Sequence, residues 1–119
     1  MVIIENIYYD YGKWTLLPQT IITLNKVIQA MKSNQKMTLE IISNTDSRGS
    51  DDYNLKLSQK RAQSAVDFIV SKGTAKKRLT AIGMGEKNPV NRCTEGVTCT
   101  EEEFAQNRRT EFKIKKGKK

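Results

Sequence analysis

A switch of hydrophobic period, made twice along the chain, restricts its fold more than any other feature. Leu17, Ile21, Leu24, Ile28 and Met31 recur at steps of four, three, four and three, which places them on one face of a helix. Soon afterwards Met37, Leu39 and Ile41 alternate with Thr38 and Glu40, and Ile42 follows, the period of a half-buried strand. The same pairing then repeats. A helix from about Asp51 to Lys72 carries Leu57, Ala62, Ala65, Val66, Ile69 and Val70 on its apolar side, and a short strand follows from Leu79 to Ile82. The helix ends are marked as well. Pro18 falls in a first turn, where its missing N–H does no harm, and Ser50 is a candidate N-cap before Asp51 and Asp52. Gly73 is the matching C-terminal stop.

Further strands flank this core. Ile3 to Tyr9 is a β-branched and aromatic run, and Thr110, Phe112 and Ile114 alternate with Glu111 and Lys113. The predicted order is β-α-β-α-β-β, with a loop holding Cys93 and Cys99 before the last strand. Helix-bridged strands require crossovers with the helices lying on the sheet. The expected fold is therefore α/β, an α+β two-layer sandwich with the helices on one face of a small mixed sheet. A length of 119 residues fits one domain, taken as residues 1–114, with a basic tail at 115–119 as the single shift in composition.

The net charge of +8 raises a nucleic-acid partner, but its distribution argues against one. Lys113, Lys115, Lys116, Lys118 and Lys119 crowd the last seven positions, and the other basic residues are interleaved with acids. Tyr8, Tyr9, Tyr11 and Trp14 sit near the start, away from the basic residues that a stacking platform would need. No apolar run approaches the roughly 20 residues of a membrane helix, so direct membrane insertion by this chain is not expected. Residues Met1–Glu5 lack the pattern of a signal peptide, so an exported protein would carry this chain as part of a longer one or as a mature form. Cys93 and Cys99 are the only cysteines and there is no histidine. A zinc site would need two thiolates and carboxylates, an unusual set. A short-loop disulfide fits better and implies an oxidising compartment, with a contribution of roughly 2–2.5 kcal/mol on the loop-entropy model. Two free thiols are the alternative.

Asn54, Ser58 and Arg61 stand at i, i+4 and i+7 and stack on one face of the second helix. Thr45 and Asp46 lie in the loop that feeds it, at the carboxyl end of a strand, where α/β sheets favour ligand sites. One carboxylate and one guanidinium beside a helix start suit a zwitterion, with its ammonium against Asp46 and its carboxylate forked by Arg61. The same two residues could instead form a structural ion pair or a helix cap. Catalysis is disfavoured. No histidine is present to move protons, no nucleophile–base pair or metal-ligand spacing is evident, and no cofactor is implied.

The stretch from Asn44 to Ala62, with its TD and NxxLSxxRA elements, resembles the signature of the OmpA-like C-terminal domain family. Arg78 to Val90 and the NRR element Asn107-Arg108-Arg109 continue the likeness, which covers roughly residues 4–114. The resemblance implies a non-enzymatic domain that binds peptidoglycan through the meso-diaminopimelate of the stem peptide. It would anchor an outer-membrane or periplasmic assembly to the wall. By that likeness Asp46 and Arg61 hold the ammonium and carboxylate of diaminopimelate, while Thr45, Asn54 and Leu55 line the pocket. Arg108 or Arg109 would add a positive wall. Asn44 departs from the histidine usual before the TD pair. The Cys93–Cys99 insertion is similar to that of Bacteroidetes-type family members, in which such domains end long multidomain envelope proteins. A protein-interaction module of an envelope or secretion complex, with a vestigial pocket, is the competing expectation.

Overall fold

The computed structural model describes residues 2–8 and 16–115. Tyr9, Tyr11 and Trp14 of the aromatic cluster lie outside the described residues, as do the side chain of Tyr8 and positions 116–119. In chain order the elements are strand β1 (Val2–Tyr8), helix α1 (Pro18–Ser33), strand β2 (Thr38–Ser43), helix α2 (Asp51–Ser71), a single 3-10 turn (Lys76–Arg78), strand β3 (Leu79–Gly83), helix α3 (Glu101–Asn107) and strand β4 (Arg109–Lys115).

The four strands form one mixed sheet in the order β1-β4-β2-β3. The α2 crossover joins neighbours, since β2 and β3 are parallel with Ile41 opposite Ala81. The α1 crossover does not. β4 enters between β1 and β2 and runs antiparallel to both. In this central position Phe112 and Ile114 are buried beside Leu39 and Ile41. Along β2, Leu39, Ile41 and Ser43 are buried while Thr38, Glu40 and Ile42 face the other way. That alternation selects the one face on which α1 and α2 lie.

The core is Leu24, Val27, Ile28 and Met31 of α1, Ala62, Ala65, Val66 and Ile69 of α2, and Leu39, Ile41, Leu79, Phe112 and Ile114 of the sheet. The buried face of α1 also takes in Thr20, and Ile21 is only partly covered, so the helix is rotated slightly from the expected stripe. Its carboxyl end is closed by a side chain from elsewhere. Arg78 donates through Nη2 to the carbonyls of Met31 at 3.0 Å and Asn34 at 2.7 Å, and through Nε to that of Met37 at 2.9 Å. A cation at this negative end of α1 satisfies carbonyls that have no partner in the helix.

Two expectations change. The loop before the last strand contains α3, whose start is a capping box: Thr100 Oγ1 accepts from the Glu103 amide at 3.1 Å, and Glu103 accepts from the Thr100 amide at 3.0 Å. A Thr three residues before a Glu is the sequence signal for such a start. The run is only 7 residues long, too short for hydrophobic periodicity to register. The strand β4 also extends to Lys115, one residue into the segment read as tail, and Lys115 Nζ reaches Glu40 at 3.3 Å. Cys93 and Cys99 are joined in a disulfide with 6.1 Å between their Cα atoms.

Candidate functional site

The site is assembled where β2 and β3 end and β4 begins. Ser43 Oγ and Thr110 Oγ1 share a hydrogen bond of 2.6 Å, and the Asn44 amide donates to the Arg109 carbonyl at 2.8 Å. The Thr45 amide donates to Gly85 at 2.9 Å. These bonds tie residues 44 and 45 to the start of β4 and to the segment after β3 once the strand has ended. Ser50 then caps α2 by accepting from the Tyr53 amide at 3.0 Å, which fixes where the helix starts.

Asp46 is 3% exposed, so its charge must be met inside the protein. Its Oδ1 accepts from the Arg48 amide at 2.9 Å, and its Oδ2 accepts from Arg48 Nη2 at 2.8 Å and Arg108 Nη1 at 3.1 Å. Burial pushes this carboxyl up, but the donors from Arg48 and Arg108 outweigh it and hold it below its ordinary value. Both guanidiniums continue outward to one further acid. Arg48 Nη1 lies 3.0 Å from Glu101 Oε2, and Arg108 Nη2 lies 2.8 Å from Glu101 Oε1. Asp46, Arg48, Glu101 and Arg108 thus close a ring of alternating charge. The guanidinium of Arg48 also lies over the Phe104 ring, 4.3 Å from its centroid.

Arg61 is completely buried on α2 and donates through Nη1 to the Asn44 carbonyl at 3.2 Å. It thus holds the loop backbone, while the Asp46 carboxylate is engaged by Arg48 and Arg108. Asn54, also buried, donates to the Arg48 carbonyl at 3.0 Å and to Glu86 Oε1 at 2.9 Å. Thr45 turns its hydroxyl to the Asp46 carbonyl at 2.9 Å. Leu55, in the first turns of α2, keeps 42% of its surface exposed. Ser58 is a packing residue, accepting from the Gly85 amide at 2.9 Å and donating to the Leu55 carbonyl at 2.8 Å. Arg108 is the C-cap of α3 and Arg109 the first residue of β4, and their side chains take different partners. Arg109 donates to Glu111 at 2.9 Å and the Asn88 carbonyl at 2.9 Å, away from Asp46.

Sequence reasoning did not assign roles to Arg48, Glu101 and Phe104. Arg48 stood in a recognised motif without a partner, and Glu101 and Phe104 belong to the helix that periodicity missed. The Thr100–Glu103 capping signature marks that helix and was the one cue available. The disulfide sulfurs and the Glu103 carboxylate lie within 4.8 Å of one another, but sulfurs bonded to each other offer no thiolate to a metal.

Residues 8–102 match the model of the OmpA family. Outer membrane protein A of Bordetella avium is 37% identical over 109 residues, which span 90% of this chain and 53% of that protein. The chain therefore spans about half the length of that relative. Outer membrane protein P5 of Haemophilus influenzae is 33% identical over 118 residues, covering 92% of this chain and 32% of that protein. Among solved structures, the peptidoglycan-associated lipoprotein from Burkholderia pseudomallei superposes with a TM-score of 0.83 at 29% identity, covering 92% of this chain and 89% of that one. The cell wall anchor of the T6SS from Pseudomonas aeruginosa shares the fold, with a TM-score of 0.73 at 23% identity over 95% of this chain and 80% of that one. With the family's model matched across both helices of the core and the loop that carries Asp46, the chain belongs to the OmpA family.

Proposed function

We propose that this chain binds peptidoglycan non-covalently through the diaminopimelate of the stem peptide, and so anchors an outer-membrane or periplasmic assembly to the cell wall. The observation that carries the reading is a buried carboxylate, Asp46, paired with buried Arg108 just past the carboxyl end of β2, with the buried guanidinium of Arg61 bonded to the Asn44 carbonyl of the same loop. Two arginines, Arg48 and Arg108, meet the Asp46 carboxylate, and a third, Arg61, holds the loop two residues before it. A zwitterionic ligand is matched by such a set, its ammonium taking Asp46 and its carboxylate taking Arg61. The likeness to a peptidoglycan-associated lipoprotein supports the same ligand class. Thr45, Asn54 and Leu55 shape the mouth, and Arg108 supplies the positive wall. The disulfide suits an oxidising compartment such as the periplasm. Among the described residues no helix is long and apolar enough to cross a membrane.

The role is binding, without catalysis. Two charge-assisted contacts of about 1.5–3 kcal/mol each, less desolvation and ordering, give modest affinity per site. Many wall sites in parallel raise the retention. Co-sedimentation with purified diaminopimelate-type peptidoglycan tests the assignment. Asp46→Asn and the shape-preserving Arg61→Met should both lose sedimentation while circular dichroism stays native. Undiminished sedimentation of both folded variants would overturn the assigned pocket.

A further inference from the structure

The pair Arg48 and Arg108 holds a carboxylate already, and that carboxylate is the chain's own. Each oxygen of Glu101 meets a different guanidinium, at 3.0 Å and 2.8 Å, so the two arginines define a subsite of carboxylate width. The walls are built in. The Arg108 side chain is only 7% exposed, and Arg48 is braced by Asp46 on one side and the Phe104 ring on another. The occupant is different in kind, since Glu101 is 60% exposed and stands at the first position of a short surface helix. Charge explains why the place is filled. Asp46 offsets one of the two cations, and the remaining positive charge calls for a second anion.

We infer that Arg48 and Arg108 form a second carboxylate subsite of the same pocket, and that Glu101 is a tethered competitor which a carboxylate of the bound peptide displaces. The inference rests on the peptidoglycan reading above. A stem peptide carries several carboxylates besides the one on the diaminopimelate side chain, so a second anion subsite has a partner in the same ligand. Because Glu101 is attached to the chain, its effective concentration at the arginines is high and is set by α3, whose capping box fixes its start one residue away. The bound state then forms only from the fraction of molecules in which Glu101 has swung out, and the apparent affinity falls by that fraction. Displacement needs no backbone change, only rotation of an exposed side chain.

The experiment is calorimetric titration of the full chain with the tripeptide L-Ala–γ-D-Glu–meso-diaminopimelate. Glu101→Gln and Glu101→Ala should each bind about three- to tenfold more tightly than the wild type. Glu102→Gln, which removes the same charge from the same helix, should bind as the wild type does. Pairing Glu101→Gln with Arg48→Met should cancel the gain. Wild-type binding that is unchanged or weakened in both Glu101 variants overturns the competitor and leaves the peptidoglycan reading intact. An equal gain from Glu102→Gln also overturns it, since net charge would then account for the effect. Absence of binding in the wild type and in every Glu101 variant overturns both readings together.

Discussion

Asp46 Oδ2, at the carboxyl end of β2, accepts a hydrogen bond from Arg108 Nη1, at the amino end of β4, across 3.1 Å. The two meet because β4 runs antiparallel beside β2 with Thr110 opposite Ser43, which brings the end of one strand to the start of the other. Both side chains are buried, so each charge must be met inside the protein, by the other and by Arg48 and Glu101 beside them. Removing one partner should therefore cost more than the pair contributes. Asp46→Asn is expected to lower unfolding stability at neutral pH by about 1–3 kcal/mol, measured by urea denaturation.

The pH dependence of that loss follows from the sign of the shift. The folded-state carboxyl of Asp46 titrates below its ordinary 3.8, so the unfolded chain binds the proton first on acidification. Its contribution is complete above that ordinary value and is lost as pH falls through the lower, folded-state value. Glu101 is shifted downward from 4.5 in the same sense, chiefly by Arg108. The stability difference between wild type and Asp46→Asn should be flat from about pH 7 to 5 and shrink below about pH 4. A difference that grows on acidification would contradict the pairing described above.

Arg78 should act on stability without acting on binding. Its guanidinium serves three carbonyls at the end of α1 and the start of β2, far along the fold from Asp46. Arg78→Ala should cost about 1–2 kcal/mol in urea unfolding, and wall binding by the folded fraction should not change. Lysine should restore only part of the loss, because a point charge cannot fork between the three acceptors.

At Gly83 the backbone of α2 comes too close to β3 for a side chain to fit. A Cβ placed there would lie 2.5 Å from the Gln59 backbone nitrogen and 2.7 Å from Ser58 Oγ. Backbone cannot yield as a flexible side chain does, so Gly83→Ala should force α2 outward and cost about 1–3 kcal/mol or more. The Gly85 amide bond to Ser58 would be stretched with it, so peptide affinity should fall in the same variant. Gly73 provides the contrast, since a Cβ there meets nothing within 4 Å and only its positive φ of 107° opposes substitution. Thermal unfolding of both alanine variants separates close packing from backbone strain.

Cys93 and Cys99 enclose a short segment just before α3, and Cys93 is buried. Replacing both with serine should lower stability by about 2–2.5 kcal/mol on the loop-entropy model. Amide exchange should report the loosening chiefly in residues 88–107, where Asn91 and Asn107 tie the loop to α3. Exchange that rises evenly across the core would mean the disulfide restrains the whole fold.

The sequence by itself determined the elements of the core and singled out Asp46 and Arg61, the residues proposed to hold the ligand. Period-four-and-three runs and period-two runs cannot substitute for one another, so Leu24, Ile28 and Met31 had to be helical and Leu39 and Ile41 extended. The βα loop placed Asp46 ahead of α2, and helical spacing placed Arg61 on the face toward it. Those relations span few residues and depend on local geometry. Only the tertiary structure decided that β4 would pass between β1 and β2, because strand order depends on long-range pairing that local pattern does not encode. That one choice delivers Arg108 to Asp46 and sends Arg109 to Asn88 and Glu111. It also brings α3 beside the loop, where Glu101 closes the ring of charge with Arg48 and Arg108. The partners of a buried charge are set by where distant strands meet, and sequence spacing does not carry that distance.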